Sequence, residues 1–251
     1  MKISFRSLFA AAVVALSLFT VTVRAQDAVT TDAALTDDVQ QAVNNAIATG
    51  DTATLQTLVA NNPTMAATIA NTVATAALTS VQGTGSNAPT QAAVNTAVAL
   101  AQFAANVSST TVNTAGASTS SVQLAAGVAS IVAQVAAIPT VMTLAPAAAA
   151  AIVSTAVTVA NNPTVIANAP TASANIASSA STVVTNATVI ATVSTADLGA
   201  ISTTITAVAT NPTVVAAAPT VVAQTVVQQV VTETTTQQTT LTDTRSVAGP
   251  G

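Results

Sequence analysis

The chain has 251 residues, of which 51% are hydrophobic, 5% charged and 2% aromatic, and it contains no cysteine, histidine, tryptophan or tyrosine. Beyond residue 25 a single cation, Arg245, stands against eight acids, a net charge of −7, which excludes a surface able to neutralise a row of phosphates or anionic lipid heads. The missing residue types also exclude disulfides, histidine- or cysteine-ligated metals and histidine-based acid–base chemistry.

The N-terminus reads as a cleavable secretory signal. Lys2 and Arg6 precede an apolar run from Leu8 to Val23, and Val23-Arg24-Ala25 places small residues at the cleavage positions, so Gln26 is the expected first mature residue. The run is too short for the ~20 residues of a bilayer span. Localisation is therefore expected outside the cytoplasm: secreted, periplasmic or at the cell surface.

Residues 26–51 form an acidic lead-in and expected cap, holding Asp27, Asp32, Asp37, Asp38 and Asp51. Within it Val39, Ala42, Val43, Ala46 and Ile47 recur at helical spacing, with Asp37 and Asp38 suited to the helix start and Gly50 to its end. Between Asp51 and Asp197 lie 145 residues without one ionisable side chain.

Residues 52–231 carry an internal repeat. Its markers are Asn62-Pro63-Thr64, Ala88-Pro89-Thr90, Ile138-Pro139-Thr140, Asn162-Pro163-Thr164, Asn186-Ala187-Thr188 and Asn211-Pro212-Thr213, with a degenerate one near Asn113-Thr114. Their spacing gives a period of about 25 residues, the length of one supersecondary unit. Three units carry a second proline seven residues on, at Pro146, Pro170 and Pro219. Proline suits a first helical turn and breaks an interior, so each unit reads as a short helix, a break and a longer helix; Asn before the proline suits the cap.

Helix is favoured over strand by period. Leu124, Val128, Ile131, Val132, Val135 and Ile138 recur at i, i+4, i+7, and so do Ile201, Ile205 and Val208. The expected fold is all-α, a solenoid-like stack of short helices. A β-solenoid is the alternative, since Val and Thr favour strands and Thr188 to Val193 alternates. A transmembrane bundle, prompted by the apolar stretch from Val122 to Ala160, ranks lower for want of aromatic belts and flanking cations. Residues 232–251, Thr-rich and ending in Gly-Pro-Gly, read as a disordered tail.

Small side chains bury little area each, at roughly 25 cal/mol per Å², so one unit cannot offset its own ordering and must lean on its neighbours. Chemistry is scarce. Asp37 and Asp38 are the one adjacent acid pair and read as a helix start; no base exists to activate a Ser or Thr; and the acidic lead-in lacks the order of a calcium loop. No enzyme activity, cofactor or metal is expected. Gly83-Thr84-Gly85 starts like a phosphate loop without completing it, and Phe103 reads as a core plug between Leu100 and Val107. Asn106-Val107-Ser108 and Asn186-Ala187-Thr188 fit the N-glycosylation sequon, whereas Pro63 excludes Asn62.

Two functions follow as expectations. The first is a non-enzymatic exported repeat protein acting as a structural or surface-interaction element of an envelope or matrix, with self-association or an envelope component as partner. The second is a binding module for an uncharged ordered surface such as ice, using a row of Thr64, Thr140, Thr164, Thr188 and Thr213. Against the row stands a local role, in which each hydroxyl satisfies backbone in a first helical turn.

Overall fold

The computed structural model describes residues 34–83 and 88–225. The expected signal (1–25) and tail (232–251) lie outside these residues, as do Asp27, Asp32, Glu233, Asp243 and Arg245. Every regular element among the described residues is a helix: α1 (Asp37–Thr49), α2 (Thr52–Asn61), a 3-10 turn (Pro63–Met65), α3 (Ala66–Val81), α4 (Gln91–Asn113), α5 (Thr119–Ala136), α6 (Pro139–Leu144), α7 (Pro146–Ala160), α8 (Pro163–Asn168), α9 (Pro170–Val184), α10 (Ala187–Thr192), α11 (Thr195–Ala209) and α12 (Pro212–Ala217). A last helix, α13, is described over residues 219–225. The all-α expectation holds, and the β-solenoid has no support: the alternating segment at Thr188 is helix α10.

Helix α1 follows its sequence signals. Val43, Ala46 and Ile47 are buried and Gly50 closes the helix at φ 69°, where its N–H reaches Ile47 O at 3.2 Å and Asp51 N–H reaches Ala46 O at 2.9 Å. This is the left-handed cap that glycine adopts without a Cβ penalty. A Cβ built on Gly50 would lie 3.0 Å from Thr96 Cγ2 of α4. Gly50→Ala is accordingly expected to lower stability by about 1–2 kcal/mol through the backbone alone, with more from Thr96, as read by urea unfolding.

The proline breaks explain how short and long helices alternate. Ala145, Ala169 and Ala218 have φ of −144°, −145° and −145° with ψ of 54°, 51° and 60°. Each precedes a proline, whose ring disfavours the α region in the preceding residue. Each alanine closes one helix and opens the next: Ala145 N–H donates to Val141 O at 2.8 Å while its own carbonyl accepts from Ala149 N–H at 2.9 Å. Ala169 and Ala218 repeat both bonds, so the break orphans neither group.

Three units depart from this pattern, the first with Ala70, buried inside α3, seven residues after Pro63. Seven residues after Pro89 stands Thr96 instead of proline, its hydroxyl donating to Ala92 O at 3.1 Å, and helix α4 runs unbroken for 23 residues. Seven residues after Ala187 stands Ser194, which caps α11 unaided by proline. Its Oγ accepts from Asp197 N–H at 3.1 Å and donates to Asp197 Oδ2 at 2.6 Å, a reciprocal cap.

Each long helix packs against the next and the next but one: α3 on α4 and α5, α4 on α5 and α7, α5 on α7 and α9, α7 on α9 and α11. This pattern sorts them into two layers, α3–α5–α9 and α4–α7–α11. Short helices follow the same parity, α6 touching α10 and α8 touching α12. Polar rungs join members of one layer: Asn162 Nδ2 to Asn113 Oδ1 at 3.2 Å, Gln91 Nε2 to Leu144 O at 3.2 Å, and Gln123 Nε2 to Asn168 O at 3.1 Å. Helix α1 packs on α2 and α3 at one end.

Helix α5 touches helices of both layers and shows what fills the core. Ala125, Ala126, Ala129, Ala133 and Ala136 are fully buried with Val128, Val132 and Val135, whereas Leu124, Ile131 and Ile138 are only half-buried. The stripe expected from the largest apolar residues is thus shifted. In α5 alanine and valine fill the centre, and the larger leucine and isoleucine side chains lie at the margins.

The α11 end differs from the interior. Counted from the second proline, the third, sixth and tenth residues on are Ala149, Ile152 and Ala156 in α7 and Ser173, Ile176 and Ala180 in α9, all buried. Counted from Ser194 in the same way, α11 has Asp197 and Ala200, both exposed, and Thr204, half-buried. The layer of α7 continues into α11, beyond which no further helix of that layer is described, and there this face changes to exposed, small and polar residues.

Candidate functional site

The titratable groups are few and dispersed. Asp37 and Asp38 occupy the first turn of α1, Asp51 caps α2 and Asp197 sits in the first turn of α11. All four described carboxylates are therefore placed at helix N-termini, where the aligned peptide dipoles favour negative charge. Among the described residues no three of His, Cys, Asp and Glu are grouped to hold a metal ion.

Asp51 has the most developed surroundings. Oδ1 accepts from Ala53 N–H at 3.1 Å and Thr54 N–H at 3.0 Å, and Oδ2 from the Thr54 hydroxyl at 2.6 Å. The Thr54 hydroxyl first, then the Thr54 amide, hold the carboxyl below the ordinary aspartate value of 3.8. A carboxylate with a lowered folded-state pKa stabilises the fold at pH above its unfolded value, and that contribution fades as the pH falls below 3.8 through the lower folded value. Asp51→Asn is expected to narrow the stability difference between pH 7 and pH 3, as measured by thermal unfolding at the two pH values.

Buried hydroxyls offer no nucleophile. The Ser108 hydroxyl donates to Ala104 O at 2.9 Å and that of Ser173 to Ala160 O at 3.0 Å, helix to helix turn in the first case and across the α7–α9 contact in the second. Ser181 Oγ and Thr68 Oγ1 are buried without a partner. None has a histidine or lysine to activate it, the described residues containing neither.

Thr64 lies in the 3-10 turn, and Thr140, Thr164, Thr188 and Thr213 lie in the first turns of α6, α8, α10 and α12. Thr64, Thr164, Thr188 and Thr213 are exposed and Thr140 is half-buried. In three units the marker Asn accepts the Thr amide on Oδ1: Asn162 from Thr164 at 2.9 Å, Asn186 from Thr188 at 3.0 Å and Asn211 from Thr213 at 3.0 Å. Asn62 instead turns its Nδ2 to Leu58 O at 2.9 Å. The cap is thus made by asparagine, while other threonines bond back four residues, as Thr143 does to Pro139 O at 2.8 Å and Thr192 to Thr188 O at 2.7 Å. The contact parity brings Thr140 and Thr188 to one pair of touching short helices and Thr164 and Thr213 to another.

A groove of about 530 Å³ lies between α2 and the second half of α4, lined by Gln56, Val59, Phe103, Asn106, Thr110 and Thr114 among others. Phe103 is 5% exposed, Leu100 and Val107 beside it are buried, and no charged residue lines the groove. Sequence reading found Phe103 as a core residue and missed the groove, which needs α2 to be brought over α4. Its one advance signal was the single aromatic residue beyond residue 25.

The two sequons differ in setting. Asn106 and Ser108 lie within α4, Asn106 exposed and Ser108 buried; Asn186, half-buried, and Thr188, exposed, lie at the start of α10. In comparison with known proteins, the chain matches no family model, no curated protein and no solved structure.

Proposed function

We propose that this chain is a non-enzymatic exported repeat protein: a stack of short-helix and long-helix units, near 25 residues each, serving as a structural or surface-interaction element of a cell envelope or matrix. The observation that carries this reading is that all four described carboxylates sit at helix starts, where they serve the fold. What remains for partners is a surface of hydroxyls, amides and methyls on a scaffold of repeated geometry. Packing of each long helix against the next two supports the solenoid reading, since stability in such arrays is a sum of unit and interface terms. The acidic lead-in with α1 serves as the polar cap of one end, and the Asp197, Ala200 and Thr204 face of α11 as that of its layer at the other.

Fractionation of the source cells tests the reading, with mass spectrometry of the recovered chain. A surface or extracellular pool beginning at Gln26 is expected. A cytoplasmic pool retaining residues 1–25, or turnover of a substrate by the pure protein, contradicts it.

A second reading, binding to an ordered uncharged surface such as ice, is favoured by one observation. None of the hydroxyls of Thr64, Thr140, Thr164, Thr188 and Thr213 bonds a protein group among the described residues, which leaves them to solvent. With the parity of the short helices, Thr140 and Thr188 belong to one edge and Thr164 and Thr213 to another instead of one row. Thermal hysteresis by the pure chain that is lost in Thr164→Val/Thr213→Val is the expected result for this reading, and its absence removes it.

A further inference from the structure

We propose that Asn186 is an N-glycan acceptor, its Nδ2 taking an oligosaccharide from a lipid-pyrophosphate donor; the proposal rests on the export reading above. Of the two sequons, the structure favours one. At Asn106-Val107-Ser108 the third residue is 1% exposed and its hydroxyl donates to Ala104 O inside α4. At Asn186-Ala187-Thr188 the asparagine, half-buried, is extended, φ −75° and ψ 129°, at the start of a six-residue helix, and Thr188 is exposed.

The amide of Asn186 is already oriented. Its Oδ1 accepts from Thr188 N–H at 3.0 Å and Val189 N–H at 3.3 Å. The planar carboxamide therefore turns Nδ2 away from the helix start, and Nδ2 bonds no protein group among the described residues. Glycosylation leaves the carbonyl oxygen and one N–H in place, so the cap survives the modification.

The repeat supplies a second argument. At Asn62, Asn162 and Asn211 the following residue is proline, which bars acceptance. At Asn186 it is Ala187, yet the bond from Oδ1 to the Thr amide has the 2.9–3.0 Å length found at Asn162 and Asn211. The cap thus tolerates loss of proline, and this is the one Asn-X-Thr marker whose chemistry is open. One turn on stands Ile190, whose amide donates to Asn186 O at 2.9 Å and whose side chain is 42% exposed, beside the site a sugar would occupy.

In the transfer, Nδ2 forms a bond to the anomeric carbon as the carbon–oxygen bond to pyrophosphate breaks. One amide proton leaves to the transferase's base, and the lipid pyrophosphate departs.

The test is expression of the full chain in a eukaryotic secretory host, with intact mass before and after an amidase that converts glycosylated Asn to Asp, and peptide mapping by elastase because no Lys or Arg lies between Arg24 and Arg245. The expected result is one glycan per exported chain, mapped to residue 186, abolished in Asn186→Gln and in Thr188→Ala and retained in Asn106→Gln. An exported chain with no glycan, or with one on Asn106 alone, overturns the proposal. Retention in the cell with residues 1–25 attached contradicts the export reading instead. A form with another cleavable leader in place of residues 1–25 then decides the acceptor: a glycan at 186 supports it and its absence overturns it.

Discussion

Replacing Ile176 with alanine is expected to lower the unfolding free energy by about 2–5 kcal/mol, the range for removing a large aliphatic side chain from a packed interior. Ile176 is fully buried in α9, in a layer shared with α5. The neighbours available to fill the gap are largely alanine and valine, whose short side chains reach little into a cavity, which places the effect toward the upper part of the range. Against a typical domain stability of about 5–15 kcal/mol this is a large fraction. Ile190→Ala, at a side chain 42% exposed, is the control and should cost little. Urea unfolding followed by circular dichroism measures both.

The opposite change tests close approach itself. Ala129→Leu is expected to destabilise by about 1–3 kcal/mol, because added methylenes in a filled core force rotamers and backbone apart. Ala129 is fully buried in α5, the helix with neighbours in both layers. Two residues away, an added Cβ on Gly127 would meet no atom within 4 Å. Gly127→Ala should therefore stabilise the protein by roughly 0.5–1 kcal/mol through the helix backbone. Opposite signs at positions two apart in one helix, read by the same unfolding assay, would separate a tightly packed small-residue core from a loose one.

How much of this fold could be read in advance depends on which signals were local. Helix α1 was legible to its last residue because its acids, its apolar spacing and Gly50 all act within one element. The prolines at 139, 146, 163 and 170 fixed four helix starts for the same reason. Ser194 was not recognised as a helix break, since a serine cap needs Asp197 to reveal it, and the missing proline at Thr96 fused two expected helices into α4. The buried face of α5 was misjudged because hydrophobicity weights large residues, whereas centre positions here are set by helix separation, a tertiary quantity. Parity of the two layers was likewise invisible: the markers recur every unit, but the short helices that carry them touch every second one. The candidate site divides in the same way. The threonine markers and sequons are local and were visible; the groove at Phe103 and the pairing of edges depend on contacts across 40 residues or more.

The alternating two-layer stack can be tested on this chain without a background of native thiols, since it has no cysteine. Asn113 and Asn162, whose side chains meet at 3.2 Å at the ends of α4 and α7, belong to one layer. Asn162 and Asn186 are the caps of successive units. The measurement is cross-linking of the Asn113→Cys/Asn162→Cys and Asn162→Cys/Asn186→Cys double variants with one short thiol-reactive linker, at dilution and with products mapped by mass. The account predicts an efficient intramolecular link in the first pair and none in the second. A link in the second pair without one in the first, or equal linking in both, would contradict it.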